Sequence, residues 1–178
     1  MSPQQIALFA DYNRWMNERL YEAAAGLTEA ELAADRGAFF GSILGTLNHI
    51  AVADTVWMQR FAAHPPGFAS LVEMAGLPSP RSLREPMAPD FAGLRAYRAR
   101  LDALVLRWAD ELSPDHLAGS FSFARMSGER MTLRLGDVLL HFFNHQTHHR
   151  GQVSTLLSQL GIDIGVTDLL VKLPAVDA

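Results

Sequence analysis

The sequence predicts an all-α protein: a four-helix bundle with a long crossover between helices 2 and 3 and a small β-hairpin before helix 4, as a single domain over residues 1–178. Three observations predict it. Four long segments carry apolar side chains at helical spacing. Residues 65–89 hold six of the nine prolines, too long a stretch for a tight turn between antiparallel neighbours and suited to a crossover. Finally, Ser120-Phe121-Ser122-Phe123 alternates polar and apolar, Ser127-Gly128 signals a turn, and Met131-Thr132-Leu133 can pair back.

Ser2 and Pro3 read as the cap and first residue of a helix over about 3–25, with Ile6, Phe9, Asn13, Met16 and Leu20 at helical spacing. A connector follows, with a helical turn at 29–32. Ser42 caps a second helix, about 42–63. Its polar residues form only a narrow stripe (Asn48, Thr55, Gln59), so it is buried on more than one side. Pro65-Pro66-Gly67 ends it, and the crossover has room for a short helical piece at 68–75. Asp90 caps a third helix, about 90–112, which Ser113-Pro114 stops. The fourth runs over about 136–160 and ends at Gly161. The tail GIDIGVTDLLVKLP adds one short helix.

With 178 residues, 49% of them apolar and 19% charged, the chain is an ordinary globular one. A net charge of −4 and the absence of a basic run disfavour nucleic-acid binding. No stretch approaches a membrane span, and the first residues lack the pattern of a secretory signal, so a cytoplasmic protein without membrane association is expected. There are no cysteines, which excludes disulfides, zinc–thiolate sites and a cysteine nucleophile. A tightly held transition metal must then use histidine, carboxylate or water.

The stretch HFFNHQTHHRGQ (141–152) holds four of the seven histidines. On a helix advancing roughly 100° per residue, with His141 as zero, Leu135, Val138, Phe142, Val153, Leu156 and Leu160 fall between roughly 60° and 120°. His149 falls at roughly 80°, inside that stripe, and His145 at roughly 40°, on its edge beside Gln152 at roughly 20°. His145 and His149 are therefore the inward pair, on consecutive turns where two imidazoles can reach one ion. His141 and His148 lie toward the margin. A ligating imidazole usually donates its other N–H to a partner, for which Gln152 and Asn144 are the candidates. Gln146 stands where a zincin helix needs its glutamate base, and no Glu-x-x-His occurs, so zincin and di-iron chemistry are both disfavoured. Histidine spacing alone leaves His49 open between ligation and a hydrogen-bonded core role.

The blocks RGAFFGSILGTLNHIAVADTVWMQRF and HFFNHQTHHRGQVSTLLSQLG, with DYNRWMNERLY and the closing DLLVKL, resemble the DinB/YfiT-like family of metalloenzymes across nearly the whole chain outside the crossover. The resemblance implies a crossover four-helix bundle, a homodimer, and a metal held by His49, His145 and His149. All-imidazole ligation admits a divalent transition metal, zinc or nickel first, with iron, manganese, cobalt and copper behind them. Relatives of this kind include S-transferases and an isomerase that use low-molecular-weight thiols. The resemblance therefore implies a small-molecule substrate and a thiol activated by the metal. A hydrolase using metal-bound water and a non-catalytic metal-binding stress protein are the alternatives.

Asp54 lies on the apolar side of the second helix. It reads first as a buried carboxylate satisfied by an arginine or backbone donors, and second as a partner of the metal ligands, as do His141, His148 and Gln152. Arg150, next to His149, points elsewhere on the helix and reads as half of a structural ion pair. Trp57, Phe61 and Trp108 read as core.

Overall fold

The computed structural model describes residues 1–65 and 67–175; Pro66, part of the expected helix stop, and residues 176–178 lie outside them. Chain order runs α1 (Pro3–Ala24), α2 (Glu29–Ala33), α3 (Ile43–Ala62), α4 (Phe91–Glu111), α5 (Pro114–Ala118), β1 (Ser120–Ala124), β2 (Arg130–Arg134) and α6 (Leu135–Ser158). The crossover piece (Ala69–Gly76) and the tail piece (Leu169–Lys172) are 3₁₀ helices.

Local chemistry sets these limits. Ser2 forms a capping box with Gln5, and Pro3 opens α1. The Ser42 hydroxyl accepts from the Gly45 N–H at 2.9 Å, and the Asp90 carboxylate from the Gly93 N–H at 2.7 Å. The hairpin pairs Phe121 with Leu133 and Phe123 with Met131, and places the Phe121 ring in the core. Two details depart from expectation. Ser113-Pro114 ends α4 but also starts α5, because a capping serine before a proline is itself a helix start. Leu160 is exposed rather than part of the buried stripe, since α6 ends at Ser158 and the chain turns away at Gly161 (φ 77°).

In the bundle, α1 packs against α4 and α6, and α3 packs against the same two. The consecutive long helices α1 and α3 therefore sit across a diagonal spanned by residues 25–42, while the long crossover joins α3 to its parallel neighbour α4. The 3₁₀ segment of the crossover lies on α3 and α4. The polar stripe of α3 holds the crossover in place. The Asn48 amide donates to the Glu85 carbonyl and accepts from the Met87 N–H, both at 2.8 Å. Gln59 donates to the Leu77 carbonyl at 3.1 Å. Phe61 stacks on Trp108 with ring centroids 4.5 Å apart at the centre of the apolar core.

A buried polar network crosses the bundle and draws on all four long helices. The Arg98 guanidinium (α4) donates to Asp54 (α3) and lies 2.9 Å from the Asp102 carboxylate (α4). Asp102 also accepts from Asn17 at 2.9 Å and Asn13 at 3.3 Å, both on α1. Gln146 (α6) donates to Asp54 at 2.7 Å, and Arg150 (α6) donates to the Asn13 carbonyl oxygen and, at 3.2 Å, to Thr147. Every charged member is at most 4% exposed. Two arginines balance two aspartates, so the desolvated charge sums to zero. Asp54 thus occupies the role expected of a buried carboxylate held by an arginine. Arg150 departs from expectation: it faces the core and reaches Asp102 only through the Asn13 amide, without a direct ion pair.

Candidate metal centre

The one-residue offset between core and cavity on α6 organises this region. Gln146 and Arg150 face the network, while His145 and His149 face α3. There His49 meets them. Its Nε2 lies 3.3 Å from Nε2 of His145, and one nitrogen from each of the three imidazoles falls within 4.8 Å of the others. Two imidazole nitrogens bound at about 2.0–2.1 Å to a tetrahedral ion stand about 3.3 Å apart, so the His49–His145 spacing fits a shared ion. It also fits an N–H to N hydrogen bond in the metal-free protein. The bundle therefore brings together the three histidines singled out from the sequence, from helices about a hundred residues apart in the chain.

Two of the three other ring nitrogens are occupied. Nδ1 of His49 donates to the Leu83 carbonyl of the crossover at 3.2 Å, and Nδ1 of His149 donates to the Gln152 amide oxygen at 2.8 Å. Both partners fix the tautomer that leaves Nε2 as the open lone pair, the usual support for a ligating imidazole. Of the two candidates for this task Gln152 performs it, and its amide nitrogen is 3.2 Å from Nε2 of His148. Asn144 is exposed. The Leu83 contact depends on the crossover and has no signature in the sequence.

Phe40 closes one side. Its ring stacks on His49 with centroids 3.7 Å apart and meets His149 edge-on at 5.6 Å. A tight turn delivers it: the Gly41 N–H donates to the Ala38 carbonyl at 2.7 Å, with Gly41 at φ 82°. Gly45 allows the loop to approach α3, because a Cβ there would overlap the Phe40 carbonyl oxygen. Gly45→Ala is accordingly expected to cost about 1–3 kcal/mol in urea unfolding and to shift the His49 ring resonances as Phe40 moves off. Unchanged stability and unchanged resonances would contradict this packing account.

Burial keeps the imidazoles neutral. It pulls His49 down to about 4, against the opposing pull of the Leu83 carbonyl. His145 falls to about 3, through burial and then the neighbouring imidazoles of His149 and His49. His149 is lowered by burial, with Gln152 partly restoring it. All three are available as neutral donors at pH 7, the form a metal takes.

The open nitrogens face a predominantly apolar cavity of about 620 Å³. Phe40, Trp57, Phe123 and Leu133 form much of its wall. Trp57 is thus a wall residue rather than core. His141 lines the cavity at 5.4 Å from the Trp57 ring and 6.0 Å from His145, without a hydrogen bond to the triad. Asp54 does not reach the triad; it connects to that region only through Gln146, the residue next to His145. Sequence reasoning weighed Gln146 only as a missing base, and its burial beside the apolar stripe was the available signal. No helix among the described residues is long and apolar enough to cross a membrane.

Protein DinB of Bacillus subtilis (strain 168) is 24% identical over 158 residues, covering 89% of this chain and 87% of its own length. A sequence model of the DinB family matches residues 1–175, a span that takes in all four long helices, the crossover, the hairpin and each of the three clustered histidines, and the chain belongs to the DinB family.

Proposed function

We propose that His49, His145 and His149 hold one divalent transition metal, zinc or nickel first, and that the protein is a metal-dependent enzyme activating a low-molecular-weight thiol for transfer or isomerisation on a small molecule. The observation carrying this reading is the convergence of three neutral imidazoles on one point at the wall of a cavity large enough for a small substrate. Three protein ligands leave a tetrahedral ion a further position, as catalytic sites do. A metal bound there would supply Lewis acidity and lower the pKa of a thiol brought to it. The chain has no cysteine, so the thiol must be a diffusible one. Phe40, Trp57 and Phe123 line the approach with apolar surface, and the Leu83 carbonyl and Gln152 hold two of the rings in aim.

Hydrolysis is the weaker reading because of the carboxylates. Asp137 borders the cavity but is paired with Arg134 at 3.1 Å, and Asp54 is committed to Arg98 and Gln146. Neither is placed to take a proton at the triad.

Metal analysis of untagged protein tests the site. Wild type is expected to hold about one divalent ion per chain, and His49→Ala, His145→Ala and His149→Ala less than about a tenth of that, with the fold intact by circular dichroism. Equal metal in all four proteins would refute the ligand assignment. Thiol-dependent consumption of an electrophile that is lost in the same variants is the expected activity; hydrolysis of esters without added thiol would favour the second reading.

A further inference from the structure

One cation at the cavity has no counter-charge. Arg60 lies eleven residues after His49 on α3, three turns on and within roughly 20° of the same face, about 16 Å along the axis. Ala53, Val56 and Trp57 line the cavity between them. Helical side chains lean toward the N-terminus, which carries the guanidinium back toward the histidines. It is half-buried, with its central carbon 4.7 Å from the Trp57 ring and 5.3 Å from the Phe123 ring. Among the described residues no carboxylate stands within 4 Å of it, and it makes no hydrogen bond.

The other charges at the cavity are already paired. Arg125 is 2.9 Å from Glu129, and Asp137 is tied to Arg134. Among the described residues, Arg60 is therefore the charged side chain on this apolar wall that has no ion-pair partner. Cation–π contact with two aromatic rings holds the guanidinium at the cavity wall while leaving its N–H groups without partners, and such a fork matches a carboxylate in bidentate fashion.

We propose that Arg60 is a specificity-determining residue that anchors the carboxylate of an amphipathic small-molecule substrate. The apolar body of that substrate lies along Val56, Trp57 and Leu133, and its far end reaches the histidine triad. The proposal rests on the metal reading only for which end of the ligand reacts; the anchoring itself requires no metal.

The test compares 5-phenylpentanoate with its primary amide, which keeps the shape and removes the charge. Dissociation constants are measured by calorimetry on metal-loaded and chelator-treated wild type, Arg60→Gln and Arg60→Lys, each checked for folding by thermal melting. The acid is expected to bind wild type about tenfold or more tighter than the amide, with or without metal. That preference is expected to vanish in Arg60→Gln, return in part in Arg60→Lys, and accompany shifts of the Trp57 indole and His141 signals. Absence of acid preference in wild type, or of saturable binding by either compound, would overturn the proposal, as would a preference that survives Arg60→Gln. A preference that disappears with chelator would also overturn it, placing the carboxylate on the metal. Intact acid preference in wild type that binds no metal would refute the triad reading and leave the Arg60 anchor standing.

Discussion

Replacing Arg98 with alanine is expected to destabilise the fold by about 3–5 kcal/mol, among the largest effects of any single substitution in this chain. Among the described residues, Arg98 alone is in direct contact with both buried carboxylates, Asp54 and Asp102. Without it, Asp54 keeps only the Gln146 amide and Asp102 only the two asparagine amides, and two negative charges face each other in the core. Burial alone would pull the Arg98 guanidinium down; the two carboxylates instead hold it above its ordinary range. Arg150 cannot substitute, because its guanidinium reaches Asp102 only through Asn13. Removing the charges together changes the outcome. Asp54→Asn with Arg98→Met, Asp102→Asn and Arg150→Met is expected to recover more than half of the loss, since a neutral core has no desolvated ion to compensate. Urea denaturation of the single and quadruple variants measures both numbers. A loss below about 1 kcal/mol for Arg98→Ala would mean that water reaches the network. As a contrast, Glu73→Gln breaks two surface pairs, to Arg100 and Arg107, and is expected to cost about 1 kcal/mol or less.

The second large effect is on the pH dependence of metal affinity. An ordinary imidazole titrates near 6.5, so at pH 5.5 about one in ten is neutral, and three at once about one time in a thousand. A surface site of three histidines loses affinity by about that factor between pH 7.5 and 5.5. Here burial holds His49 to about 4 and His145 to about 3, and lowers His149 as well. Protons therefore compete for the first two nitrogens only in stronger acid. The expected loss over the same interval is less than about tenfold, followed by a steep fall as His49 takes its proton near pH 4. Competition against a chromophoric chelator, corrected for its own protonation, gives the curve. A thousandfold loss by pH 5.5 would show that the triad is solvated like a surface cluster.

Much of this molecule is legible in the sequence because much of it is local. A capping serine or aspartate, a proline at the first helical position and a period of 3.6 act within one or two turns, and the four long helices follow from them. The inward pair His145 and His149 is legible for the same reason. His49 was not separable from a core histidine by spacing, because its role is set by a partner on another helix. The polar network is an intermediate case. Asn13 and Asn17, Arg98 and Asp102, and Gln146 and Arg150 each stand four residues apart, one turn along a helix, and Asn13 sits in the apolar spacing of its own helix. The pattern was on the page, but which pair meets which depends on the diagonal placement of α1 and α3. The Leu83 carbonyl and the Phe40 ring are set by loop geometry that no periodicity encodes.

The last helix resembles a keyed shaft. Its two working pairs, His145 with His149 and Gln146 with Arg150, have the same pitch and differ by one residue, roughly 100° of rotation. Arginine and carboxamide locked into the core set the angle at which the imidazoles are presented, although neither touches the cavity. An inserted residue between Phe143 and His145 that kept the core side chains seated would have to be absorbed as a bulge, and one that did not would swing the two imidazoles into the places of Gln146 and Arg150, toward Asp54, and carry the guanidinium round to the direction of Gly151, out of the core. The aim of the site is thus written on the opposite side of the helix, where a screen of cavity residues would never look for it.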